Sequence, residues 1–298
     1  MNVLSAHFNG KIFELSPADS AAINDLNLTA LADFLDAKLD NNQYSFWRLY
    51  AFDCVPVELI SRIYEEFIPQ RADAVYTPVH LAQFMVDECM PLEHPQDRLR
   101  LIDVSCGSGI FLVTAFKRMV QWWQKKRYEE TGNLQRPSVK ILQSILRESI
   151  YGVDIEGDAV RLAVFSLSIA LCDMLSPTEI WLNLKFDNLE EKNLQTSDFF
   201  DFLSSNHRKK FDLVIGNPPF KSSSKEVKRV LAGYELKVSA SIPRNEIALL
   251  FLQQAMALLK KSGLLWLYAR KCTRQEGHAV LGQVSGSCRS YESQRRER

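Results

Sequence analysis

The stretch Phe211-Asp-Leu-Val-Ile-Gly-Asn-Pro-Pro-Phe220 decides how this chain folds. An apolar run, 211–215, ends at Gly216 and meets Asn217, Pro218, Pro219 and Phe220 at once, which reads as a buried strand emptying into a rigid loop. Pro218 and Pro219 fix φ and carry no N–H, so their carbonyls and the Asn217 amide can be held outward as hydrogen-bonding groups. Phe220 adds a flat apolar face beside them. Acceptors next to an aromatic ring suit a planar nitrogen group such as an exocyclic amine or an amide. A plain turn after a strand uses the same residue types, so the rest of the chain has to separate the two readings.

Upstream, residues 99–104 form a second short apolar strand that runs into Ser105-Cys-Gly-Ser-Gly109 and then a helix over 110–125. Gly107 and Gly109 let backbone approach a ligand, and Asp103 offers a carboxylate to a positive group. Leu112 stands where a dinucleotide fingerprint has its third glycine, and there is no P-loop lysine, so a phosphate-free ligand is expected. A further strand at 149–153 ends in Asp154, Ile155 and Glu156; a carboxylate there can accept both hydroxyls of a ribose. The helix at 159–174 is apolar nearly all round and belongs in the core. Residues 180–186 suggest a third strand, Asp198-Phe-Phe200 closes a polar loop, 245–259 is a long apolar helix, and 263–268 a fifth strand. Lys221, Lys225, Lys228 and Arg229 form a basic segment; such a run is usually a solvated face, and its place beside the proline loop also suits it to phosphates.

Residues 1–72 read as an N-terminal helical region, 73–271 as the α/β domain and 272–298 as a polar tail with neither strand nor helix pattern. Before the helix at 79–90, Thr77 is placed to cap and Pro78 to open it; such a helix start also attracts carboxylates. Lys+Arg and Asp+Glu both number 36, giving formal charge +0, so nucleic acid would be held by local patches. The six cysteines are scattered, without metal-ligand spacing, and point to a reducing cytoplasm and no bound metal. No segment approaches the roughly 20 apolar residues of a membrane span, and no targeting signal or membrane contact is expected.

Strands alternating with helices, ligand groups at the strand ends, argue for a doubly wound Rossmann-like sheet with its site at the carboxyl edge. Asp103-Val-Ser-Cys-Gly-Ser-Gly109, Tyr151-Gly-Val-Asp-Ile155, Ser197-Asp-Phe-Phe200 and Asn217-Pro-Pro-Phe220, in this order, resemble the class I S-adenosylmethionine-dependent DNA adenine-N6 methyltransferases of type I and type IIG restriction-modification systems. The likeness extends to Ala74-Val-Tyr-Thr-Pro78 and Ile242-Pro-Arg-Asn-Glu-Ile-Ala248.

The resemblance implies roles. Tyr76, Thr77 and Pro78 would close over the methionine end of S-adenosyl-L-methionine, and Asp103, Cys106, Gly107 and Gly109 would form the turn that holds its amino and carboxylate groups. Asp154 would take the ribose hydroxyls, Ile155 would lie on the adenine ring, and Asp198 would accept from the adenine amine beside Phe199. Asn217 and the Pro218 carbonyl, in the loop stiffened by Pro219, would bind the amine of a target adenine flipped from double-stranded DNA, with Phe220 stacked on the base. The family's partners include a specificity or target-recognition subunit or domain.

Val104 and Ser105 stand where many relatives have Pro and Ala. The family continues its sheet past the fifth strand, and 272–298 carries no such pattern, so the sheet is expected to be incomplete at its C-terminal edge. A truncated gene or a changed frame at about residue 270 is the expected cause. Two rival readings stand beside the DNA methylase. Methylases of protein glutamine amides share an Asn-Pro-Pro-aromatic loop, and a truncated remnant would bind cofactor without activity of its own.

Overall fold

The computed structural model describes residues 7–8, 21, 59, 77–190, 192–206, 209–219, 230, 233, 247–271, 277–284 and 287–292. Most of the N-terminal helical region expected at 1–72, together with Tyr76, Phe220 and the basic segment 221–229, lies outside the described residues.

The described chain runs α1 (Val79–Cys89), β1 (Leu101–Asp103), α2 (Ile110–Thr131), α3 (Val139–Ser149), β2 (Ile150–Asp154), α4 (Gly157–Cys172) and α5 (Pro177–Asn183). It continues through β3 (Leu194–Thr196), α6 (Phe199–Ser205), β4 (Phe211–Gly216), α7 (Ile247–Ala255), β5 (Leu259–Lys271), β6 (Gly277–Val284) and β7 (Ser287–Glu292). The strands make one sheet ordered β3-β2-β1-β4-β5-β6-β7, parallel from β3 to β5. The chain starts at β1, winds outward to β3, then returns to lay β4 on the other side of β1. That reversal opens a crevice at the carboxyl ends of β1 and β4, where doubly wound sheets bind ligands. Asp103 pairs with Ile215 there, two residues before Asn217.

Both faces of the sheet are covered, which is why Leu213, Val214 and Ile215 are consecutive apolar residues and do not alternate with polar ones. Leu101, Leu213 and Ile215 join the core under α1 to α4, while Ile102, Val104 and Val214 join Phe199, Leu250 and Phe251 on the opposite face. Each such fully buried aliphatic side chain contributes about 1.5–3 kcal/mol.

Two expectations are corrected. Residues 180–186 do not form a strand: Ser176 accepts from the Glu179 N–H and the Glu179 carboxylate accepts from the Ser176 N–H, and with Pro177 at the first position this capping box starts α5. The third strand is Leu194–Thr196.

The sheet also does not stop at β5. β6 pairs antiparallel with β5 from Leu264↔Val284 to Lys271↔Gly277, and β7 pairs antiparallel with β6. Ladder hydrogen bonds come from backbone, so a polar composition did not exclude them. The sequence between the paired Val284 and Ser287 is Ser285-Gly286, a turn-forming dipeptide. Among the described residues no single helix is long and apolar enough to cross a membrane.

Candidate active site

Asp103 closes β1 and is completely buried. Its Oδ1 accepts the Ser105 N–H at 3.0 Å, while Oδ2 is buried with no hydrogen-bond partner among the described residues. Burial pushes this carboxyl up to about 8; the Ser105 N–H pulls it down and the neighbouring Asp154 charge adds to the rise. Gly216, at the end of β4, makes room for it. A Cβ there would lie 2.8 Å from Asp103 Oδ1 and 3.3 Å from Ser105 Oγ.

The turn after β1 is tied to the end of β2. Cys106 donates its N–H to the Val153 carbonyl at 2.9 Å, and Gly107 donates its N–H to Asp154 Oδ2 at 2.8 Å. Asp154 Oδ1 accepts the Glu156 N–H at 3.0 Å. Burial raises the Asp154 carboxyl, against these N–H donors, which lower it. Each oxygen thus keeps further lone-pair capacity for a ligand's hydroxyls. Ile155, next along, is 64% exposed, an unusual position for an aliphatic side chain and one that fits an apolar ring.

The two glycines of the turn differ in purpose. Gly107 has φ +50 with open space where a Cβ would be, whereas at Gly109, φ +89, a Cβ would fall 2.9 Å from the Cβ of Ala163. Gly109 therefore serves the close approach of α2 to α4. Cys106 is a packing side chain: it is buried, its Sγ would lie 3.1 Å from a Cβ at Gly152, and burial pushes its thiol well up. A neutral, enclosed thiol is no nucleophile.

Asp198 is brought to the same edge by the Ser197 N–H, which donates to the Asp154 carbonyl at 2.8 Å. It is the N-cap of α6, with Oδ1 accepting from the Phe200 N–H at 2.8 Å. Phe199 is 3% exposed, its ring stacked on Phe251 with centroids 4.6 Å apart, so its face is spent in the core.

Thr77 does not cap α1. Pro78 occupies the N-cap position without a side-chain bond, and the Thr77 Oγ1 accepts from Asn217 Nδ2 at 3.0 Å. The contact joins residues 140 positions apart and leaves Thr77 8% exposed. Pro218 is buried and Pro219 half-buried after it. The structure therefore gathers Thr77, Asp103, Gly107, Asp154, Ile155, Asp198 and Asn217 at one sheet edge. Sequence reasoning missed Gly216, Gly152 and Ala163, whose smallness makes the edge possible. A glycine between an apolar strand and Asn-Pro was the available signal for the first. Among the described residues, no group of three or more His, Cys, Asp or Glu is placed to hold a metal ion.

Residues 148–272, from the approach to β2 to just past β5, match the family model described as Eco57I restriction-modification methylase. The type II restriction enzyme and methyltransferase RM.Eco57I of Escherichia coli is 20% identical to the chain, over 78% of this chain and 29% of its own length. The adenine-specific methyltransferase PglX of Streptomyces coelicolor is 24% identical, over 71% of this chain and 19% of its own. The chain thus spans less than a third of either relative. In fold it is similar to a nuclease-deletion mutant of the Type ISP restriction-modification enzyme LlaGI solved with a DNA substrate mimic. That likeness has a TM-score of 0.53 at 12% identity, covering 90% of this chain and 24% of that one. The restriction-modification methylase resemblance drawn from the motifs is borne out by the family model and by these relatives.

Proposed function

We propose that this chain carries the methyl-transfer unit of a DNA adenine-N6 methylase, the modification part of a restriction-modification system, acting in the cytoplasm with S-adenosyl-L-methionine. The observation that carries the reading is the adjacency, at the crevice between β1 and β4, of the Asn217 amide loop and the buried Asp103 Oδ2, which has no hydrogen-bond partner among the described residues.

The residues present fit that cofactor. An ammonium group needs a buried acceptor, which Asp103 Oδ2 is, and would return the carboxyl to its charged form. Asp154 has lone pairs left for ribose hydroxyls and Ile155 an exposed apolar surface for adenine. Asp198 lies at the same edge; Phe199 contributes the floor beneath it and not an open ring face. Thr77 and Pro78 precede α1, and Thr77 touches Asn217; Tyr76 joins them in this reading by the resemblance alone. When bound, the cofactor supplies an electrophilic methyl group on a sulfonium.

The chain's own residues then have to make an aromatic amine nucleophilic. The lone pair of such an amine is delocalised into its ring, and two acceptors on its hydrogens favour a tetrahedral nitrogen with a localised lone pair. Asn217 and the Pro218 carbonyl are the acceptors in this reading, Pro219 stiffens the loop, and Phe220 stacks on a base flipped from the duplex. Positioning and preferential stabilisation of that geometry supply the rate.

In this reading the base is delivered by a target-recognition domain or specificity subunit, because base contacts carry sequence information and the methyl-transfer site itself reads only one flipped base. The test is transfer of tritiated methyl from labelled cofactor to unmethylated duplex DNA and, in parallel, to a glutamine-containing peptide. Label in DNA that disappears in Asn217→Ala is the expected result. Label only in peptide overturns the choice of substrate. Calorimetric cofactor binding with transfer to neither favours a unit that needs a target-recognition partner.

A further inference from the structure

We infer that Ser105 is a further binding residue of the crevice: its hydroxyl oxygen, together with the Asp103 carboxylate, forms an acceptor pair for the ammonium group of the cofactor. The inference rests on the cofactor reading and deepens it. Ser105 stands in the turn after β1 and gives its N–H to Asp103 Oδ1 at 3.0 Å. Its Oγ is enclosed and has no hydrogen-bond partner among the described residues, which is equally true of Asp103 Oδ2. Buried polar atoms are as a rule paired, so two orphaned oxygens on residues joined by one hydrogen bond are explained by a common partner.

Gly216 shows where the hydroxyl faces. A Cβ at that position, at the end of β4, would lie 3.3 Å from Ser105 Oγ and 2.8 Å from Asp103 Oδ1. Hydroxyl and carboxylate therefore line the same opening between β1 and β4, next to Asn217. Electrostatics select the sign of the partner. Asp103 is completely buried, and the charge of Asp154 opposes its ionisation. A cation relieves that repulsion and an anion adds to it. An ammonium has three N–H donors and no acceptor, so towards it the hydroxyl can only accept.

The test is calorimetric binding to the full chain, wild type and Ser105→Ala, of three ligands. S-adenosylhomocysteine carries ammonium and carboxylate without a sulfonium, decarboxylated S-adenosylmethionine carries ammonium and sulfonium without a carboxylate, and 5′-methylthioadenosine carries none of them. The expected result is a loss on the order of tenfold in Ser105→Ala for the first two and none for the third. Because the hydroxyl has no partner to lose in the empty chain, the ligand-free variant should melt no lower than wild type. A loss confined to S-adenosylhomocysteine would place the hydroxyl on the carboxylate, and one confined to the decarboxylated ligand would place it on the sulfonium. Either result overturns the inference, as do equal losses for all three ligands, no loss for any, or a lower melting temperature of the empty variant. A wild-type chain that binds none of the three removes the cofactor reading and the inference with it. Binding in the expected pattern without methyl transfer to DNA counts against the methylase activity alone and upholds the role of Ser105.

Discussion

Asp154 accepts the Gly107 N–H at 2.8 Å across the gap between two strand ends, so the carboxylate at the tip of β2 holds the shape of the turn that follows β1. The same side chain accepts from Glu156 at 3.0 Å. One residue therefore orders both loops of this sheet edge before any ligand arrives, and preorganisation of this kind lowers the cost of binding.

Replacing Asp154 by Ala removes the acceptor from both N–H groups. The Gly107 N–H is partly buried and Glu156 is exposed, so water replaces the second bond and the loss falls mainly on the first, at about 1 kcal/mol. The expected outcome in Asp154→Ala is a drop of several degrees in melting temperature and loss of cofactor binding by calorimetry. Asp154→Asn should keep most of the stability and lose affinity. Equal affinity in wild type and Asp154→Ala would remove Asp154 from the site.

Gly216→Ala places a methyl 2.8 Å from Asp103 Oδ1. Asp103 is fixed by burial and by Ser105, so the crowding has to be relieved by moving the carboxylate or the strand end. Cofactor affinity should fall at least tenfold, a larger effect than on urea stability, because the disturbed group faces the ligand crevice. Titration calorimetry beside a urea melt measures both.

Gly109 and Gly107 should respond differently. Gly109→Ala meets the Ala163 Cβ at 2.9 Å and a φ of +89, whereas Gly107→Ala meets only an unfavourable φ of +50. The second should cost about 1–2 kcal/mol of folding stability and the first clearly more. Equilibrium urea unfolding of the two variants orders them; the reverse order would refute the packing role given to Gly109.

Asp103 makes the empty protein pH-dependent. Its carboxyl is raised by burial from 3.8 to about 8, so the folded chain holds this proton more tightly than the unfolded chain does. Its stabilising contribution is complete below about pH 4 and is lost as pH rises through about 8; Asp154, also raised, acts in the same direction. Melting temperature should fall across that window, and Asp103→Asn should flatten the fall. An ammonium ligand favours the charged carboxylate, so cofactor binding should tighten as pH rises toward 8 and release a proton below it. Calorimetry in buffers of different ionisation enthalpy detects that proton. Binding without proton release at about pH 7 would separate Asp103 from the cofactor's amino group.

Much of the fold was legible because buried parallel strands carry consecutive apolar residues, as Leu101-Ile102, Ile150-Tyr151 and Leu213-Val214-Ile215 do. Residues 180–186 misled because their apolar residues suit a strand, while the Ser176-Pro177-Thr178-Glu179 capping box that settles α5 lies upstream of them. The tail misled for a different reason: β6 and β7 are paired through backbone, which leaves little trace in composition.

The sequence by itself determined the residue types at each strand end, since Asp103, Asp154, Asp198 and Asn217 sit beside glycines, a loop break or prolines that mark where a strand or loop stops. Only the tertiary structure decided what those groups do to one another. It buried Asp103 with no partner for Oδ2 among the described residues, turned Phe199 into the core, made Asp198 a helix cap and gave the Asn217 amide to Thr77 instead of leaving Thr77 on its own helix. The physical reason is range. Strand and turn signals are set within a few neighbouring residues, whereas hydrogen-bond partners and burial depend on packing between distant segments, 140 positions apart for Thr77 and Asn217.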